Sequence, residues 1–123
     1  MTHEEIAGLF DTWNEALRTE DPDQVTGLYA PDAVLLPTLS NQVRHNHDEI
    51  RDYFVGFLAK QPVGVIEEAN TRSLTDNLAS NAGVYTFSFG DGTQATARFS
   101  YLYRRDEGGW KIIEHHSSGM PEG

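Results

Sequence analysis

Towards the end of the chain, His115-His116-Ser117-Ser118 sets two imidazoles and two hydroxyls in consecutive positions. A histidine beside a hydroxyl can relay a proton near neutral pH, because an unperturbed imidazole titrates at about 6.5. The surrounding run, Trp110 to Ser118, reads as a β-strand, on which neighbouring side chains point to opposite faces. Ile113, His115 and Ser117 then share one face, and Ile112, Glu114, His116 and Ser118 the other. The first set reads as the wall of a pocket, although a bulge near His115 would exchange it for His116 and Ser118. The plainer alternative is a structural histidine held by hydrogen bonds.

A metal centre is a weaker reading of the 5 histidines. His115 and His116 diverge on a strand, and His45 and His47 sit in a polar loop with no evident third ligand. Without cysteine there is no thiolate nucleophile, disulfide or cysteine metal site. On the preceding run Arg98, Ser100 and Leu102 share a face opposite Phe99, Tyr101 and Tyr103. An arginine among aromatics suits a carboxylate-shaped anion, and it suits an exposed ion pair equally well. Tyr53 keeps the helical register of Ile50 and Phe57, so it reads as core unless its hydroxyl finds a polar partner.

The elements that must hold these groups follow from periodicity. Thr2-His3-Glu4-Glu5 is a capping box, and Ile6, Leu9, Phe10, Trp13 and Leu17 follow at helical spacing to about Arg18. Asp21-Pro22-Asp23 caps a short second helix through Leu28-Tyr29, and Ala33 to Leu36 is a brief strand stopped by Pro37. Thr38 lies just past that strand, where loop side chains face cavities. A third helix runs from Asp48 through Leu58, capped by Asn46 or His47, with Pro62 beyond its end. From there the chain turns β-rich: Val63 to Glu68, Arg72 to Leu78, Ala82 to Phe89, Thr93 to Arg104 and Trp110 to Ser118. Gly90-Asp91-Gly92 and Asp106-Glu107-Gly108-Gly109 mark hairpin loops.

Helices first and an antiparallel meander afterwards predict an α+β fold, with three N-terminal helices packed on one face of a strongly curved sheet. At 123 residues the chain is expected to form a single domain spanning 1–123. Tyr85, Phe87 and Phe89 alternate with Val84, Thr86 and Ser88, so both sheet faces need cover; a homo-oligomer, most simply a dimer, is expected. The 19 acidic against 9 basic residues give a net charge of −10, which argues against nucleic acid and anionic lipid as partners. No run approaches the roughly 18 apolar residues of a membrane span, and no secretory signal is visible, so a cytoplasmic location is expected.

Tyr103-Arg104-Arg105-Asp106, Trp110-Lys111-Ile112-Ile113 and His116 to Pro121 carry a resemblance to the nuclear transport factor 2-like superfamily. Within it, the chain resembles the association (hub) domain of calcium/calmodulin-dependent protein kinase II. Ser117 stands where that hub has a pocket arginine, and kinase activity and calmodulin binding are not implied. Six further strings are similar to the iota-class carbonic anhydrases: Leu35 to Asn41, Asp52 to Phe54, Pro62 to Gly64, Gly83 to Phe87, Ala97 to Tyr101 and His115 to Ser118. That resemblance implies reversible hydration of carbon dioxide to bicarbonate, with no cofactor and, in some members, no metal. Carried over by position, it implies a bicarbonate-sized pocket lined by Thr38, Tyr53, His115 and Ser117. Thr38, Tyr53 and Ser117 would orient a water and His115 would move its proton, with Arg98 an electrostatic contributor. The rival expectation is a non-catalytic, hub-like oligomerisation module whose pocket holds a small carboxylate. An isomerase or hydrolase acting on a ring would need an acidic base that no Asp or Glu clearly supplies.

Overall fold

The structure, a computed structural model, describes residues 1–122. Helix α1 spans His3–Arg18. Its capping box is formed: the Thr2 hydroxyl accepts from the Glu5 N–H (3.1 Å) and the Glu5 carboxylate accepts from the Thr2 N–H (2.9 Å). Its buried stripe is Ile6, Phe10, Trp13 and Leu17, an i, i+4, i+7, i+11 series that needs a sheet beneath it. Helix α2 is shorter than expected, Pro22–Thr26, capped by Asp21. Tyr29 is not part of it; it opens strand β1, Tyr29–Leu36. The strand therefore begins before Ala33, and Pro31 falls within its irregular stretch between Tyr29 and Val34. Helix α3 runs His47–Leu58, with Asn46 accepting from the Glu49 N–H at 2.9 Å.

The β-rich half contains strands β2 (Val63–Thr75), β3 (Leu78–Ser88), β4 (Gln94–Asp106) and β5 (Gly109–Gly119). The runs Val63 to Glu68 and Arg72 to Leu78 are thus not separate strands. Glu68 to Thr71 continue the ladder opposite Val84 to Asn81, and Leu78 already belongs to the next strand. As an edge strand β2 is largely exposed there, so no apolar alternation betrays it. The register shift between Ile66 and Glu68 brings the Glu68 carbonyl close to Gly83, where a Cβ would lie only 1.9 Å from that oxygen. Glycine is the residue that fits this approach.

Strands β2 to β5 form the expected antiparallel meander, and β1 adds to its far side in parallel with β5, in the order β1-β5-β4-β3-β2. The buried face of the sheet is aromatic: Tyr85 and Phe87 from β3 and Tyr101 from β4 meet Phe10 and Trp13 of α1, while Phe99 stacks on Tyr85 and Tyr103 on Tyr101. Among the described residues, no helix is long and apolar enough to cross a membrane.

Candidate active site

The pairing of β5 with β4 is interrupted between Leu102 and Tyr103, which face Glu114 and Ile112 respectively, leaving Ile113 as the extra residue. This bulge reverses the parity upstream of it. Ile112 is buried (3% exposed) and Ile113 only partly so, against the grouping that alternation alone suggests. Downstream, His115 and Ser117 point into the core while His116 is exposed.

Thr38 reaches the same place from β1. The backbone groups of Leu35 and Arg44 exchange two hydrogen bonds of 2.9 Å, which pinch the intervening loop and fold Thr38 back over β5. Arg44 fastens this loop to α3, donating to Asp52 Oδ2 (2.9 Å), the Glu49 carbonyl (3.1 Å) and Ser40 Oγ (3.2 Å).

A continuous chain of hydrogen bonds results. Trp13 Nε1–H donates to the Tyr29 hydroxyl (3.1 Å), which stands 2.8 Å from His115 Nδ1. On the other side of the ring, Nε2 is 3.2 Å from the Tyr85 hydroxyl, which donates to Ser117 Oγ at 2.6 Å. Ser117 Oγ lies 2.5 Å from Thr38 Oγ1.

The chain has a direction set by its closed end. An indole nitrogen can only donate, so Tyr29 accepts from Trp13 and gives its own proton to Nδ1. Tyr85 has spent its proton on Ser117, so it accepts from Nε2–H. His115 is therefore the neutral Nε2–H tautomer. Between Ser117 and Thr38 one bond uses one of two remaining protons, whichever hydroxyl donates. One proton is left on this pair, on Thr38 if Ser117 donates and on Ser117 if Thr38 does, and it is free to be given to an acceptor.

Electrostatics agree with a neutral chain. Burial, and secondly the nearby His116, push His115 down to about 3. Burial also raises the Tyr29 and Tyr85 phenols well above 10, so both remain protonated donors. Burial disfavours the imidazolium that a proton relay through His115 would form, and among the described residues no carboxylate pairs with the ring.

The chain ends on a small cavity of about 40 Å³, room for about three water molecules. Its walls are mostly apolar, including Trp13, Phe54, Phe57, Phe87 and Ala97, and its polar groups come from Thr38, Tyr53, Tyr85, His115 and Ser117. Tyr53 lies outside the hydrogen-bonded chain. Its ring stacks on Phe57 (5.6 Å) and carries the Arg44 guanidinium 5.7 Å from its centroid, and burial raises its phenol to about 12.

Arg98 is not brought to the cavity. It is exposed on the opposite face of β4, in register with Val84 and Ser118, because the aromatic set Phe99, Tyr101 and Tyr103 takes the interior. His45 and His47 part company: His45 pairs with Glu49 (3.0 Å), and His47 Nε2–H donates to the Tyr29 carbonyl (2.7 Å). Among the described residues no three His, Asp or Glu side chains converge as metal ligands would. Sequence reasoning missed Trp13, Tyr29 and Tyr85 as polar participants. The available signal was that a phenol on an otherwise apolar face requires a hydrogen-bond partner.

Deeper in the core, the hydroxyls of Tyr101 and Tyr103 have no hydrogen-bond partner among the described residues. Tyr101 stacks on His115 at 4.1 Å, and Tyr103 stacks on Tyr101 at 5.6 Å. Removing a buried hydroxyl without a partner relieves desolvation and keeps the ring. Tyr103→Phe is therefore expected to be neutral or stabilising by up to about 1 kcal/mol in urea unfolding. A loss of that size would show that the hydroxyl is bonded in solution.

Helices lying on a curved sheet around a cone-like pocket define the nuclear transport factor 2-like, or cystatin-like, class of fold. Two solved structures share it at a level of identity that speaks to fold alone. A nuclear transport factor 2-like protein of Pseudomonas putida is 21% identical, with a TM-score of 0.80, covering 94% of this chain and 84% of its own. A cystatin-like-fold protein of Caulobacter vibrioides is 20% identical, with a TM-score of 0.76, covering 95% and 89%. The profile of the calcium/calmodulin dependent protein kinase II association domain matches residues 2–121, and the chain belongs to that family. A Xanthomonas campestris structure described by the same domain name is 49% identical, with a TM-score of 0.96, covering 100% of this chain and 91% of that one. No curated protein matches the sequence.

Proposed function

We propose that the chain catalyses the reversible hydration of carbon dioxide without a metal, the activity of the iota-class carbonic anhydrases that its sequence resembles. The observation that carries the reading is a hydroxyl chain with one unspent proton ending on a small, largely apolar cavity. Carbon dioxide is apolar and small, which suits the walls. Bicarbonate is an oxyanion, which suits the donor end.

The proposed step is attack of a water on the carbon. The new C–O bond forms as one C=O π pair moves onto oxygen, and that oxygen accepts from the Thr38–Ser117 terminus. Tyr53 adds a second hydroxyl at the cavity wall. Thr38 is exposed, so the proton of the attacking water passes to solvent or buffer at the mouth. Among the described residues no carboxylate lines the cavity, and burial keeps His115 neutral, so His115 is a positioning residue, with Tyr29 and Tyr85. The volume of about 40 Å³ argues against a ring-sized substrate.

The family name supports assembly of the chain with itself, and a homodimer is the proposed form. Stopped-flow hydration of carbon dioxide, before and after exhaustive chelation, tests the proposal. A rate above buffer that survives chelation is expected. Activity lost on chelation overturns the metal-free route. Absence of activity in both states leaves the non-catalytic association module as the reading.

A further inference from the structure

The cavity adjoins a groove of about 350 Å³ whose lining includes Ser40, Arg44, Asp52, Gly56 and Lys60; Leu39, Tyr53 and Phe57 belong to both spaces. A cation stands over each of two aromatic side chains that line the cavity. The Arg44 guanidinium is 5.7 Å from the Tyr53 centroid, and the Lys60 ammonium is 5.7 Å from the Phe89 centroid. The two cations are not equivalent. Arg44 is tied to Asp52, Ser40 and the Glu49 carbonyl, so its charge is offset and its fork largely occupied.

Lys60 is exposed and makes no salt bridge among the described residues. Asp91 lies near enough to feel it, but that carboxylate already accepts from the Thr93 N–H (2.9 Å) and hydroxyl (2.6 Å). On a chain of net charge −10, an anion approaching a pocket meets general repulsion. An ammonium held in no salt bridge among the described residues, at the groove beside the opening, opposes that repulsion locally.

We propose that this groove is an anion-collecting vestibule and that Lys60 gives the pocket its preference for a small monovalent oxyanion over a neutral molecule of the same shape. The proposal rests on the hydratase reading for the identity of the natural anion, bicarbonate, and on the groove alone for its charge. Arg44 shapes the vestibule by holding the loop that carries Thr38 and Leu39. Lys60, with a free charge on a flexible stem, follows the ion inwards over Phe89.

Formate and formamide are matched probes, one charged and one neutral. Calorimetric titration of the full chain at fixed ionic strength is expected to show tighter binding of formate. Lys60→Gln is expected to weaken formate by about three- to tenfold, the range for loss of one partly screened charge, and to bring it towards formamide. Lys111→Gln removes an equal charge from a lysine that donates to the Gly27 carbonyl (2.8 Å), and should leave formate binding as it was.

Equal losses in both variants would reduce the effect to net charge and overturn the proposal. An unchanged affinity in Lys60→Gln, or no formate binding at all, would overturn it also. Lys60-dependent formate binding in a chain that hydrates no carbon dioxide keeps the vestibule and removes the hydratase. Hydration with Lys60-independent formate binding does the reverse.

Discussion

Between pH 6.5 and pH 4.5 the protein is expected to lose about 2–3 kcal/mol of stability through His115 alone. The folded state holds this imidazole at about 3, whereas the unfolded chain binds a proton near 6.5. The unfolded state therefore carries more protons throughout this window. Stability is complete above about pH 6.5 and falls with pH at up to about 1.4 kcal/mol per unit, until the folded value is reached. Urea unfolding at a series of pH values reads the slope directly.

His115→Gln isolates the effect. Its amide can accept from Tyr29 and donate to Tyr85 as the neutral imidazole does, and it does not titrate. The variant should lose most of the slope above pH 4.5, where exposed carboxylates have little influence. Glu5, Asp32, Glu49, Asp91 and Asp106 are all held below their ordinary values by hydrogen bonds or by arginine, so their share appears at lower pH. An unchanged slope in His115→Gln would mean that His115 is not the buried neutral group described.

Thr38→Val is expected to lower carbon dioxide hydration by about 100-fold, the loss typical of removing one preorganised donor from a developing oxyanion, while the fold remains intact. Valine is isosteric, and Thr38 is exposed, so packing changes little. The Ser117 hydroxyl keeps its bond from Tyr85, and its own proton, no longer shared with Thr38, stays one hydroxyl short of the position that Thr38 occupied. Thr38→Ser retains the donor and should retain most of the rate. If the valine variant melts as the wild type does and hydrates at the same rate, the chain of hydroxyls has no part in the chemistry.

The contrast between what was and was not legible follows from range. Thr2 with Glu5, and Asn46 with Glu49, satisfy backbone groups three residues away, so a local pattern suffices. Alternation also puts His115 and Ser117 on one face, while the choice between that pair and His116 with Ser118 as the inward one rests on the tertiary packing. The same count fails at Ile112 because the bulge at Ile113 depends on how β5 pairs with β4, which no run of residues displays. Arg98 illustrates a different limit. Its parity opposite Phe99 and Tyr101 was readable, but which set faces inwards depends on α1 covering the aromatic side.

Trp13 and Tyr29 were hidden as site residues because each looks like core. Their polar atoms matter only once Tyr29 and His115, 86 positions apart, are brought together. The sequence likewise showed five histidines without their partners. Their separation into one buried ring (His115), one hydrogen-bonded to Glu49 (His45), one donor to the Tyr29 carbonyl (His47) and two exposed rings (His3 and His116) is a product of tertiary structure.

The central claim is that a neutral hydrogen-bonded chain, polarised by Trp13 at its closed end, delivers a proton donor to the cavity. Imidazole nitrogen-15 NMR of His115, followed from pH 8 to pH 4, measures both its tautomer and its charge. A protonated Nε2 and a bare Nδ1, with no titration over that range, are the expected result. A ring that protonates near pH 6.5, or one that carries its proton on Nδ1, would contradict it.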